Sequence, residues 1–316
     1  CVGIMITDSV HGTLPQVCEV LKTGELEQAH RDIRELLQHE LENEDVIYTL
    51  TGINFWTDKL KKAQNASTAF EKGEFLVSQW KPFSLFMSKQ GREREPVLYA
   101  LKQCAFRIAL GFYQSLYRED VNSQDPELYR KIGLCYKALG DYEQALKLLE
   151  QAHDGTKDSP SILAELADCY ALCGESRLSK VLFREAFFQG ASQVELCFLE
   201  SEVIKRLEAQ VHALGYSGAE LAEWIPVYGV LYGIFNIKRE LQALEFGKLK
   251  QSIFALENEI RDAAAGNRSV LIPRLINQYF WLIDHYVNVE DEKSRINEVL
   301  LKIKLLDTDV YNKYTM

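Results

Sequence analysis

The sequence predicts an all-α chain built as an array of antiparallel helix pairs, and three observations carry that prediction. A stretch of sequence reappears 34 residues further on without a gap, which marks a repeat architecture. Only 18 glycines and 7 prolines occur among 316 residues, well below the roughly 12% of an average chain, so turn-dense β folds lose ground. Outside the repeat, apolar residues recur at the three-and-four spacing that places them on one helix face. With 47% apolar and 26% charged residues the composition is globular, and 15 Phe, 15 Tyr and 4 Trp exclude a mainly disordered chain.

From the start of the chain, helices are expected at about 15–22 and 25–41. Gly24, Ala29, Ile33 and Leu36 there repeat the spacing of Gly140, Ala145, Leu149 and Ala152. Lys72-Gly73-Glu74-Phe75 reads as a turn before another helix. Residues 96–117 read as one helix, with Leu101, Ala105, Ile108, Ala109, Phe112 and Leu116 at helical spacing. Residues 1–124 are thus expected to hold degenerate helix pairs that flank the clear units of 125–193.

The clear units run from Asp125 to Ser159 and from Ser159 to Gln193. Pro126 aligns with Pro160, Cys135-Tyr136 with Cys169-Tyr170, Gly140 with Gly174, Leu149 with Phe183 and Ala152 with Ala186. Each unit reads as two helices. Pro126 and Pro160 suit a first helical turn, where the missing N–H costs nothing, and Asp125 and Ser159 precede them as N-caps. Gly140 and Gly174 end the first helix of each pair, where a positive φ is needed. Small residues at Gly133, Ala167, Ala145 and Ser179 allow close approach of the paired helices, and large ones at Tyr136, Tyr170, Leu149 and Phe183 fill the gaps between them. One pair cannot bury its own apolar face, so pairs must stack.

The period and these residue types resemble the tetratricopeptide repeat (TPR) family. The first unit carries Tyr129, Ile132-Gly133, Tyr136, Ala145 and Leu149, and the second Leu163, Leu166-Ala167, Tyr170, Ser179 and Phe183. The resemblance implies a right-handed superhelical α-solenoid whose first helices line a concave groove. Carried over residue by residue, the groove positions are Glu127, Arg130, Leu134, Lys137 and Ala138 in the first unit, and Ser161, Ala164, Asp168, Ala171 and Leu172 in the second. Such a groove has Arg130 and Lys137 on one rim and an apolar floor from Leu134 and Leu172, suited to an extended peptide or a partner helix. The alternative is that these side chains are simply solvated or are covered by this chain's own terminal helices. Leu134 and Glu165 stand where family members that clamp a C-terminal carboxylate want Asn, which argues against capture of an acidic chaperone tail.

Residues 194–316 are expected to be a divergent helical continuation or a separate C-terminal helical domain. Val194 to Ala213 reads as one long helix with Leu196, Leu199, Val203, Leu207 and Val211 on a face. Gly215-Tyr216-Ser217-Gly218 reads as a turn, with a capping box between Ser217 and Glu220. Pro226 starts or kinks a helix reaching about 236. Lys238 to Asp262 is a long amphipathic helix, and 273–288 with 291–306 form a closing hairpin.

A net charge of −10 makes nucleic acid and anionic membranes poor partners for the surface as a whole. No run of 18 apolar residues exists to span a membrane. Seven cysteines at irregular spacing read as reduced thiols in a cytoplasmic chain. The alternative is a lipid anchor on Cys1. No metal site or cofactor motif is expected: phosphate loop, HExxH and dinucleotide glycines are all lacking. Gly215-Tyr216-Ser217-Gly218-Ala219 resembles a nucleophile elbow but follows a helix where a strand is required. Asp284-His285 are adjacent on a helix and point in different directions, and Cys135 and Cys169 hold equivalent packing positions.

The expected function is non-enzymatic binding of another protein or peptide. Two alternatives stand beside it. One is a regulatory helical domain of a larger enzyme or transcription factor. The other is a small-ligand domain with an aromatic pocket from Trp224, Tyr228, Tyr232, Tyr279, Phe280 and Trp281.

Overall fold

The computed structural model describes residues 12–119 and 125–316, so Cys1 lies outside the described residues. Among those described, all regular structure is helical. The chain divides into two compact units, one ending at Leu148 and the other beginning at Leu149.

The first unit opens with α1 (Leu14–Lys22) and α2 (Leu26–His39). These are the expected pair, with Gly24 at φ 89° between them and Ala29 and Ile33 fully buried. Then follow α3 (Glu44–Ala63), α4 (Ala69–Ser78), α5 (Trp80–Met87) and α6 (Glu95–Glu119). Gly73 is not in a turn as expected. It sits inside α4, which starts three residues before the predicted turn with a Thr68–Glu71 capping box. Its role is close approach, since a Cβ on Gly73 would stand 2.6 Å from Cζ of Tyr113 on α6. The Tyr113 hydroxyl donates to Glu74 on the same helix α4. Burial in this setting pushes the Tyr113 phenol well above its ordinary range.

The first clear repeat begins with α7 (Pro126–Ala138), and α8 (Tyr142–Gly155) follows. Asp125 caps α7 by accepting the Glu127 N–H at 2.9 Å. The helix ends in a Schellman motif: Gly140 lies at φ 85°, and Asp141 N–H donates to Tyr136 carbonyl at 3.0 Å. The same turn recurs 34 residues later in the second unit. There α9 (Pro160–Leu172) is capped by Ser159 and ends at Gly174, φ 88°, with Glu175 N–H donating to Tyr170 carbonyl at 2.8 Å. A short Gly turn returns the chain as α10 (Ser176–Gly190). Ala167, Ser179, Phe183 and Ala186 are fully or almost fully buried as the two helices pack together.

The rest of the second unit is α11 (Glu202–Ala213), α12 (Gly218–Leu231), α13 (Ala243–Asp262), α14 (Ala265–Asn288), α15 (Lys293–Leu306) and α16 (Thr308–Thr315). The long helix α14 is its hub, with α12, α13 and α15 packed on it. Four expectations change. After a 3-10 turn at Ala191–Gln193, residues 194–201 are not helical beyond one further 3-10 turn, Leu196–Phe198, and α11 starts only after Ser201. Ser217 precedes α12 without a side-chain capping bond. Residues 232–242 leave the helix, so α13 starts at Ala243. Pro273 lies inside α14 rather than at its start.

These readings separate by sign on substitution. Gly73→Ala should lose about 1–3 kcal/mol by overpacking against Tyr113, and Gly140→Ala about 1–2 kcal/mol for a side chain at positive φ. Gly247→Ala, on the exposed side of α13 with open space around it, should gain about 0.5–1 kcal/mol. Urea denaturation of the three variants checks this, and an unchanged midpoint for Gly73→Ala would contradict the close-approach reading.

Candidate interaction surfaces

In the first unit, the groove-lining face of α7 is largely buried. Leu134, Lys137 and Ala138 are at most 4% exposed and Arg130 is 5% exposed, whereas Glu127 is half-buried. The expectation of Arg130 and Lys137 on an open rim does not match these positions. Arg130 turns its guanidinium along its own helix, where Nε and Nη2 donate to the two Glu127 oxygens at 2.9 and 2.7 Å. Burial opposes ionisation of Glu127, but the Arg130 hydrogen bonds and charge outweigh it and hold the carboxyl below its ordinary value. Lys131, one residue on, reaches Glu74 of α4 at 2.9 Å. Gln103 of α6 donates to the Ala138 carbonyl at 3.2 Å. Arg130 is thus paired along α7, while Lys131 and Gln103 tie α7 to α4 and α6.

In the second unit the α9 face meets the chain itself. Ala164 and Asp168 are buried, and Ser161, Ala171 and Leu172 are half-buried. The Asp168 carboxylate accepts two backbone N–H groups, those of Glu200 and Ser201, each at 2.8 Å. Around them the backbone is extended, with Leu199 at φ −81°, ψ 132° and Ser201 at φ −64°, ψ 144°. Leu199 is 1% exposed and shares a core cluster with Leu163, Ala164 and Ala167. The chain after the repeat thus lies along part of the face where a groove would hold a peptide. No local sequence signal marks this contact, because its acceptor and donors are some thirty residues apart.

A second irregular stretch, 232–242, is held by charge. Arg184 on α10 donates to Ile237 carbonyl at 2.7 Å and pairs with the buried Asp284, which Lys238 also reaches at 2.8 Å. Arg239 forks onto Glu185 and Glu245, all four bonds at 2.9 Å. Both guanidiniums lie over the Trp281 ring, 4.8 and 5.4 Å from its centre. Asp284 is therefore an ion-pair anchor, while His285 stacks on Phe246 at 4.0 Å. The pair does not converge on one site.

The six aromatic side chains are not gathered in one pocket either. Trp224 stacks on Tyr216 and Tyr228 lies tilted beside it, Tyr279 donates to Glu257 at 2.6 Å, and Phe280 stacks on Tyr314 at 4.5 Å. All but Tyr232 are buried. The described cysteines are free thiols. Burial pushes Cys104 up to about 12, far from an activated thiolate. No helix among the described residues is long and apolar enough to cross a membrane.

The tetratricopeptide repeat model matches residues 136–183, from the last turns of α7 into α10. Residues 136–183 thus read as a tetratricopeptide repeat, which is in general a protein-interaction module. No curated protein and no solved structure matches the chain significantly.

Two measurements follow. Asp168→Asn keeps one oxygen for two backbone donors and should lose about 1–3 kcal/mol of stability, read by urea denaturation. Unchanged stability would contradict the clamp. The Glu245 carboxyl is held below its ordinary 4.5, chiefly by the Arg239 hydrogen bond. A depressed folded value stabilises above the ordinary carboxylate range and loses that effect as pH falls through it. The stability gap between the wild type and Arg239→Gln should therefore be widest near neutral pH and narrow below 4.5. A gap independent of pH would contradict the pairing.

Proposed function

We propose that this chain is a non-enzymatic, cytoplasmic interaction module that binds another protein through its helix-pair array. The tetratricopeptide segment at 136–183 carries the reading. Its finer form is that a peptide or partner helix engages the first helix of a repeat at the side chains that remain reachable. In the second unit these are Ser161, Ala171 and Leu172. In the first unit the reachable position is Glu127. The buried Arg130, Leu134, Lys137, Ala138, Ala164 and Asp168 then act as support for the face and not as contacts. Leu172 and Ala171 stand at the end of α9, just before the exposed Cys173, beyond the Asp168 clamp. An apolar pair beside a Gly turn suits an apolar anchor of a partner segment. The use of the aromatic side chains as core supports a protein partner over a small apolar ligand.

Photo-crosslinking tests this in cells. A benzophenone amino acid replacing Leu172 should capture one protein partner in a distinct band, and the same group at the exposed Lys157 should not. Equal capture at both positions, or none at Leu172, would contradict the proposed contact.

A further inference from the structure

A hollow of about 350 Å³ lies in the second unit between α13 and α15, over α14. Its floor is apolar: Ile253, Leu282 and Val299 are buried there. Phe254 stands at its edge with 67% of its surface exposed, the most exposed aromatic side chain among the described residues. On α15, Glu298 and Lys302 line the hollow. Leu301 and Leu305 continue the same stripe at helical spacing and are 56% and 79% exposed. A single exposed apolar side chain is ordinary. Here three of them flank a hollow that is itself apolar at its base, which marks an interaction surface.

The charges at the rim narrow the kind of partner. Lys250, Arg295 and Lys302 stand against Glu257 and Glu298, and Asp291 holds Arg295 at 2.8 Å. The rim is thus neutral in a chain of net charge −10. Two copies of so acidic a chain repel over most of their surface, and a neutral rim is where that repulsion is least. The rim charges are also incompletely matched within one copy. Lys250 on α13 rests over the Phe246 ring at 5.5 Å, and no carboxylate of the described residues is bonded to it. Glu298 on α15 reaches Lys302 at 3.9 Å, but Lys302 is nearer to Glu257, at 3.0 Å.

We propose that this groove pairs with the same groove of a second copy of the chain. The patch holds both a projecting ring and a hollow with room for one, which is the condition for a self-complementary contact. A two-fold axis running along the groove sets α13 of each copy over α15 of the other. Lys250 of each copy then meets Glu298 of the other, and each Phe254 ring enters the other's hollow. Leu301 and Leu305 close over the edge of the contact. Two short helix walls around one aromatic anchor suit a dimer that forms at micromolar concentration. The inference does not depend on the repeat face, since α9 takes no part in the contact.

Sedimentation velocity of the full chain, from about 1 to about 200 μM, tests this. The wild type should pass from monomer to dimer across that range. Phe254→Glu should weaken the dimer at least tenfold and leave thermal unfolding unchanged, because the ring is mostly in solvent. Lys250→Glu and Glu298→Lys each set like charges against one another and should weaken the dimer about fivefold or more. The two substitutions together restore opposite charges and should return the dimer to within about twofold of the wild type. A wild type that stays monomeric throughout would overturn the second copy as the occupant. A dimer indifferent to Phe254→Glu would overturn the groove as its seat. A double variant no stronger than the single ones would overturn the two-fold pairing. None of these results bears on the Leu172 crosslink, so the dimer and the repeat-face contact stand or fall separately.

Discussion

The close contact of α9 with α10 sets the rest of the second unit. Two helices can approach this far only where small side chains meet, and Ala167, Ser179 and Ala186 supply them, each without exposed surface. Such a pair still has an apolar flank that it cannot bury alone. The chain resolves this by continuing past α10 through two 3-10 turns into a short extended stretch that lays Leu199 into the same cluster as Leu163 and Ala164. Extended backbone carries unmet N–H groups into a buried setting. Asp168 meets two of them. One carboxylate thereby joins the repeat to the helices that follow and lets α11 start where it does.

This bears directly on function. A concave helix face is useful for binding when it is left open, and here part of it is occupied from within. The positions that a single repeat would offer a ligand divide into two classes. Arg130, Lys137, Ala164 and Asp168 are buried; Ser161, Ala171 and Leu172 remain half-buried near the ends of α9. Under the proposed function, contact with a partner falls on the positions near the ends of the helix. The irregular 232–242 stretch is fixed by arginine forks and Trp281, so it is a structural strap and not a ligand loop.

What the sequence revealed was what local physics determines. The proline-led starts, the Asp125 and Ser159 caps and the Gly140 and Gly174 turns all depend on a few adjacent residues, and all stand as read. Gly73 was misread because a glycine that makes room for a distant ring looks like a glycine that makes a turn; Tyr113 lies forty residues away. Residues 194–201 carry helical apolar spacing, yet long-range contacts with Asp168 and the α9 core override it. Lys238 and Arg239 likewise look like the first turn of a helix, but Asp284, Glu185 and Glu245 draw them into a strap. The candidate groove residues lie on α7 and α9, the first helices of the two units. What lies over them is a tertiary fact that no motif records.

The central claim is that the chain occupies part of its own repeat face through the Asp168 clamp. Native-state hydrogen exchange at the Glu200 and Ser201 amides tests it most directly. If both N–H groups are held as described, they exchange only when the second unit opens, with protection comparable to the Leu207 and Val211 amides within α11. Exchange at rates near those of an unstructured chain, with α11 still protected, would show the face to be open and contradict the account.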